Sequence, residues 1–443
     1  MHTNNYKDIG HLVVENNLCV GCGVCSPACP ENVIDIKFDI DKGVYLPKIN
    51  FEGCTQCSIC FNTCQKNFDL FFNTKNKIEN SENYVYGYGD VKKFYIGHTV
   101  DGNERLTSAS GGLLSATLKY MIKNKIVEGA VVTKFVSGNI GGELFKPFFA
   151  TSPEDIDKAK GSHYYPIEFS KILELTKDYS SFVVVALPCV IYSLKKLKGL
   201  KKKKVYYFTL ACGGFRDGNF LNHLNRSKRL NIDRLEKLEY RNKIKIDFGD
   251  NFNLLMNNEN IKFKDYYGNL WNTMFYKTDG CNLCPDFSGL SADSVFFDAW
   301  LPEHRIDPKG TSILAIRDQE VLEIIQKMHS EHLVDIKEIS SEQAILSQAP
   351  QIEKAEERFF IWADKQKLLS NSIKQKHLNK FNKRNIKKYL NEFYIYRGKM
   401  ALFDLIYKKM KLYNVSPRYL DLLFQPNRVF KGIFKKIKRL ING

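Results

Sequence analysis

The chain has 443 residues, 44% of them hydrophobic, and a formal net charge of +17, which is enough for two or three globular domains. No apolar run approaches the ~20 residues that span a bilayer, and the opening MHTNNYKDIG has no charged segment followed by an apolar signal core, so the expected address is the cytoplasm. Residues 351–443 hold 23 Lys+Arg against 7 Asp+Glu, while residues 1–350 hold 43 basic and 42 acidic residues; charge confined to one end, with no zinc-finger, KH or RNP spacing, argues against a nucleic-acid partner.

Residues 1–80 carry an internal repeat. CVGCGVCSPACP supplies Cys19, Cys22, Cys25 and Cys29, and CTQCSICFNTC supplies Cys54, Cys57, Cys60 and Cys64, both spaced C-x2-C-x2-C-x3-C. This is the bacterial ferredoxin run, a small α+β domain for two 4Fe-4S clusters, in which the fourth thiol of each run binds the other cluster. The expected sets are Cys19, Cys22, Cys25 with Cys64, and Cys54, Cys57, Cys60 with Cys29. Gln65 stands where the pattern usually has proline.

After a polar linker near 71–84, apolar β-branched runs (KIVEGAVVTKF, SSFVVVALPC, KKVYYFTLAC) alternate with segments of helical period. That pattern predicts an α/β domain over 85–350 with a mostly parallel sheet, its ligands beyond the carboxyl ends of the strands. Four cysteines remain: Cys189, Cys212, Cys281 and Cys284. Two end predicted strands and two form CNLC, so together they suffice for a third cube or a zinc site, unless Cys189 and Cys212 are buried core residues.

The Ser108-Ala109-Ser110-Gly111-Gly112 turn precedes a predicted helix, and small residues there would let backbone N–H groups meet a phosphate. Lys92 and Arg105 are nearby charges. From 351 onward the pattern is helical and Lys-rich. Its last part, NRVFKGIFKKIKRLING, sets Phe430, Ile433, Phe434, Ile437, Leu440 and Ile441 at helical spacing. This basic amphipathic helix over 427–443 fits an anionic membrane surface on the inner face of the cell membrane, or a groove of its own protein.

TSASGGLLSATLKYMIKNKIVEGAVV, KGSHYYPI, ALPCVIYSLKKL, FTLACGGF, YRNK, CNLCPDF, FFDAW and KGTSILAI follow in an order that resembles the coenzyme F420 hydrogenase/dehydrogenase beta subunit family. Its relatives include plant 7-hydroxymethyl chlorophyll a reductase, and the resemblance covers about 85–345. It implies FAD, with its pyrophosphate at Ser108, Ser110, Gly111 and Gly112, and a third 4Fe-4S cluster on Cys189, Cys212, Cys281 and Cys284. Three substitutions depart from the family pattern: Ala186-Leu187-Pro188-Cys189-Val190 for G-[TS]-P-C-Q, Cys212-Gly213-Gly214 for C-H-G, and Phe297-Asp298-Ala299-Trp300 for G-D-F-W. They touch substrate identity more than cofactor content.

The expectation is an iron-sulfur flavoenzyme that passes electrons between ferredoxin-type carriers and a two-electron acceptor. His163, Tyr164 and Asp298 are the candidate proton donors. The basic end resembles that of bacterial members associated with cell-surface polysaccharide biosynthesis. The alternative is an electron-transfer subunit, working on a deazaflavin coenzyme or feeding a partner enzyme, with no organic substrate of its own.

Overall fold

In a computed structural model, residues 6–413 are described apart from 244–252, 264–270, 272–273, 306 and 379–380, with side chains to 399. The basic amphipathic segment 427–443 lies outside the described residues.

The front module opens on an antiparallel hairpin of β1 (Ile34–Asp39) and β2 (Val44–Ile49). Helix α1 (Phe68–Glu79) follows the second cysteine run, capped by the Asn67 side chain, which accepts from Leu70 N. The main sheet comprises β3 (Lys93–Thr99), β4 (Gly129–Phe135), β5 (Phe145–Ala150), β6 (Ser181–Ala186), β7 (Lys204–Leu210), β8 (Ser294–Asp298), β9 (Ser312–Ile316) and β10 (Val334–Glu338). Their spatial order is β10-β3-β9-β8-β7-β6-β4-β5.

β4, β6, β7 and β8 pair in parallel, and β3 points the same way. β5, β9 and β10 run against them. The sheet is therefore parallel at its centre and antiparallel toward both edges, a more mixed arrangement than the sequence pattern suggests. Chain length explains one antiparallel pair: only residues 136–144 join β4 to β5, too few for a crossover between parallel neighbours.

Helices cover both faces. In β6, Val183 packs with α2 (Leu113–Lys123), while Phe182 and Val184 pack with α3 (Pro188–Leu194) on the other side. All three are fully buried, which is why the strand reads as one unbroken apolar run.

Other helices include α4 (Asp279–Asn282), α5 (Gln319–Ser330), α6 (Ser341–Glu353), α7 (Phe359–Lys365) and α8 (Lys383–Tyr413). The first part of 351–443, read from sequence as a basic helical tail, is helical and packs into a core. Phe359, Phe360, Ile361, Trp362, Tyr389, Phe393 and Tyr396 share one core with Leu18, Ile34, Phe68, Phe71, Phe72 and Leu283. Trp362 is fully buried, donates from Nε1 to Tyr389 O at 3.0 Å and stacks on Tyr396. Lys75 of α1 pairs with Glu356 at 2.5 Å in the π-helical turn Lys354–Arg358, both largely out of water. This segment clamps the front module to the sheet domain.

Candidate functional site

Twelve thiols gather into three groups. Cys29, Cys54, Cys57 and Cys60 line one hollow, and Cys19, Cys22, Cys25 and Cys64 line a second. The exchange of fourth cysteines has a local cause. The helical turns Cys25–Ala28 and Ile59–Thr63 each end in an extended cysteine, Cys29 and Cys64, which carries its thiol away from its own run.

The two runs repeat each other in backbone as well as spacing. Gly21 and Gly23 take positive φ in the first, and Gln56 and Ser58 do so at the matching places in the second, where a side chain makes that conformation costlier. The twist aims N–H groups at sulfur: Gly21 N donates to Cys19 Sγ and Gln56 N to Cys54 Sγ, both at 3.4 Å. Lys66 N donates to Cys64 Sγ at 3.4 Å, and Gly214 N to Cys212 Sγ at 3.3 Å in the third group. Such donors stabilise thiolates and adjust the potentials of clusters bound to them.

The third group forms at the carboxyl edge of the parallel strands. β6 ends at Ala186, and Pro188 at the start of α3 presents Cys189; β7 ends at Leu210, two residues before Cys212. Cys281 and Cys284 arrive on α4 and the residue pair after it, with Thr278 capping Cys281 N. The thiols of Cys22, Cys284, Cys212 and Cys281 all stand close enough to push Cys189 further up than burial alone does. Cys22 and Cys189 also pack on one apolar cluster, so the second and third groups are neighbours.

Burial pushes Cys19, Cys22 and Cys212 up to about 12. Such thiols ionise only against a cation, as metal ligands do. Among the described residues no three His, Cys, Asp or Glu side chains converge on one metal ion. In a cubane each thiolate takes its own iron, so four sulfurs stand wider than the ~3.8 Å implied by tetrahedral Zn–S bonds. The donor set fits 4Fe-4S clusters. Cys57 alone is exposed.

The proton-donor candidates separate. Tyr164 meets Arg241 and Asp298, with Arg241 Nη1 donating to both Asp298 oxygens at 3.0 and 2.9 Å. His163 instead packs against Phe145 at a ring-centroid distance of 4.5 Å, and burial pushes it down to about 4. Its ring is therefore neutral at pH 7 and stands apart from the Tyr164–Arg241–Asp298 group.

The Ser108–Gly112 turn is also occupied by protein. Ser110 donates to Thr311 O and Gly111 N to Ser312 Oγ, each at 3.0 Å. A Cβ on Gly111 would lie 2.7 Å from Gly97 O, so its lack of a side chain serves close approach to β3 and β9. Ser108 bonds to Ser115 at 3.2 Å, and Gly112, at positive φ, opens α2. Two of the turn's donors, the Ser110 hydroxyl and Gly111 N, are thus engaged within the protein. Arg105 reaches Gly310 O and Asp307.

Sequence reasoning missed the cations beside the inner thiols. Lys66 and Arg216 are buried and Lys277 half-buried near Cys64, Cys281 and Cys212, with desolvation pulling Lys277 well below its ordinary range and Arg216 down to about 10. Lys66 had one signal, the loss of the usual proline beside it.

Comparison with known proteins places these features. Profiles described as Coenzyme F420 hydrogenase/dehydrogenase, beta subunit N-term and C terminus match residues 94–174 and 179–342 in tandem. A 4Fe-4S dicluster domain matches 18–68, so 4Fe-4S binding belongs to the front module. An uncharacterised protein of Methanocaldococcus jannaschii is 25% identical over 65% of this chain and 82% of its own. The coenzyme F420-dependent sulfite reductase of the same organism is 22% identical over 74% of this chain, which spans 48% of that enzyme's length. A chain of the F420-reducing [NiFe] hydrogenase complex from Methanosarcina barkeri is 19% identical, covering 62% of this chain and 92% of that one, with a TM-score of 0.48.

Proposed function

Because this chain belongs to the coenzyme F420 hydrogenase/dehydrogenase beta subunit family of oxidoreductases, we propose that it is an electron-transfer subunit carrying three 4Fe-4S centres. It exchanges electrons with a deazaflavin coenzyme or with partner enzyme subunits. The observation that carries this is the line of thiol groups: an outer set that includes exposed Cys57, a middle set, and a third set reached through Cys22 and Cys189.

Clusters bound at these thiols would supply one-electron transfer at low potential. The chain's own residues do the rest. Twelve thiolates hold the iron, and backbone N–H groups of Gly21, Gln56, Lys66 and Gly214 steady four of them. Partial burial limits the access of water to the middle and third sets. Cys57 opens the outer set to a ferredoxin-class carrier.

The reading as a self-contained flavoenzyme acting in cell-surface polysaccharide biosynthesis has less support. It rests on residues 427–443, whereas the relatives' printed functions are F420-linked. No helix among the described residues is long and apolar enough to cross a membrane. A deazaflavin coenzyme takes up a hydride whereas clusters pass single electrons, so exchange with it would call on the FAD that the resemblance implies, while transfer to a partner's clusters would not; flavin released per chain measures it separately.

Anaerobic purification of the full chain should yield about twelve irons and twelve sulfides, the content of three cubes. The dithionite-reduced protein should then be reoxidised by coenzyme F420 or by a co-purifying subunit. About eight irons would remove the third centre, and turnover of an organic substrate by the isolated chain would remove the subunit reading.

A further inference from the structure

Lys66 is 4% exposed and lies where the middle and third thiol sets meet. Its Nζ donates to Gly280 O at 2.7 Å and Leu283 O at 3.3 Å, the carbonyls that precede Cys281 and Cys284. Its side chain lines the cavity of Cys19, Cys22, Cys25 and Cys64. The loop it grips is pressed on the front module, since a Cβ on Gly280 would fall 2.0 Å from Leu18 O. A buried ammonium needs a counter-charge. Among the described residues none of the ion pairs involves Lys66; its neighbours are thiols of both sets.

The outer set differs. Asp8, 3% exposed and paired with His11 at 2.7 Å, pushes Cys60 up after burial does, whereas at Cys284 Lys66 pulls downward against the push of Asp286. Lys196 marks an intermediate case. Its Nζ donates to Asn62 O and Tyr192 Oη, both at 2.8 Å, and its charge draws on Cys64.

We propose that Lys66 is a positioning residue and a shared counter-charge for two adjacent centres, docking the Cys281–Cys284 loop and holding both inner centres at higher potential than the outer one. This rests on the reading of the twelve thiols as cluster ligands. Reduction adds negative charge, so a fixed cation nearby favours the reduced form. The slope runs inward: one electron arrives from a reduced ferredoxin-class carrier at the Cys57 side and passes to the middle and then the third set, with no bond made or broken.

The test is EPR-monitored potentiometry on anaerobically purified full-length protein. Lys66→Met should lower the midpoints of both inner centres by about 59 mV, a tenfold change in a one-electron equilibrium, and leave the outer centre in place. Lys66→Arg should restore both, and Lys196→Met should lower the middle centre alone. Lys66→Gln keeps a donor for the two carbonyls, so it remains informative where Lys66→Met fails to fold. Unchanged midpoints in a fully iron-loaded Lys66→Gln protein would overturn the proposal, as would a drop confined to one inner centre. Wild-type protein with about eight irons would instead overturn the three-centre reading beneath it.

Discussion

The front module takes its eight thiols from one unbroken stretch, Cys19 to Cys64, while the third set draws Cys189, Cys212, Cys281 and Cys284 from two strand ends and a distant loop. In the first region local turns fix each sulfur. In the second, the sheet must form before Cys189 and Cys212 share an edge, and α4 must be held down by Lys66 on one side and the C-terminal helices on the other. Local sites survive damage elsewhere; assembled sites inherit the stability of everything that assembles them.

The largest expected effect follows from that contrast. Cys284→Ser should reduce iron from about twelve to about eight per chain, removing one cube while both front centres keep their EPR signals. Loss of a front signal would mean that the regions are not separable. Trp362→Ala should blur the contrast instead. It empties a fully buried site where α7, α8 and the front module share a core, at a cost of about 3–5 kcal/mol. Denaturant unfolding should show that loss, with third-centre iron released before front-module iron.

The same contrast decides what the sequence could reveal. The C-x2-C-x2-C-x3-C runs were legible because ligand spacing is local, and the crossover of Cys29 and Cys64 follows from one helical turn. The third set was legible by counting and by the position of Cys189 and Cys212 at strand ends. The clamp was hidden by averaging: Lys-rich composition over 351–443 masked the run Phe359–Ala363 and the stripe Tyr389, Phe393, Tyr396 at helical spacing. Of the three candidate proton donors His163, Tyr164 and Asp298, the last two meet at Arg241 and His163 does not. Nothing in the linear order of KGSHYYP says which neighbour faces Phe145.

A smaller effect tests the seam between the regions. Lys75→Met leaves Glu356 without the cation that holds it at 2.5 Å, and breaking such a pair costs about 3–5 kcal/mol in a dry interior; the 10% exposure of Glu356 puts the expected loss near the lower end. Replacing both, as Lys75→Met with Glu356→Leu, should recover most of it, because the pair's attraction is largely offset by its desolvation. A double variant no more stable than the single one would show that Lys75 acts through packing on Phe72.

The smallest effect is a pH dependence centred in the sheet domain. Burial lowers His163 and His223 from 6.5 to about 4, so between those values the unfolded chain binds protons that the folded chain does not. Stability is then fully present above about pH 6.5 and falls as pH drops toward 4. Asp217 works against this trend: burial raises its carboxyl to about 8, so its contribution falls as pH rises from about 4 to 8. Below pH 6.5 the two histidines outnumber it, and the melting temperature should decline on acidification. His163→Phe, which keeps a ring against Phe145, should remove most of that decline, because His223 and Asp217 then nearly cancel. An unchanged slope would place the proton uptake elsewhere, and an equal change in front-module iron retention would join two regions that the buried histidines otherwise keep distinct.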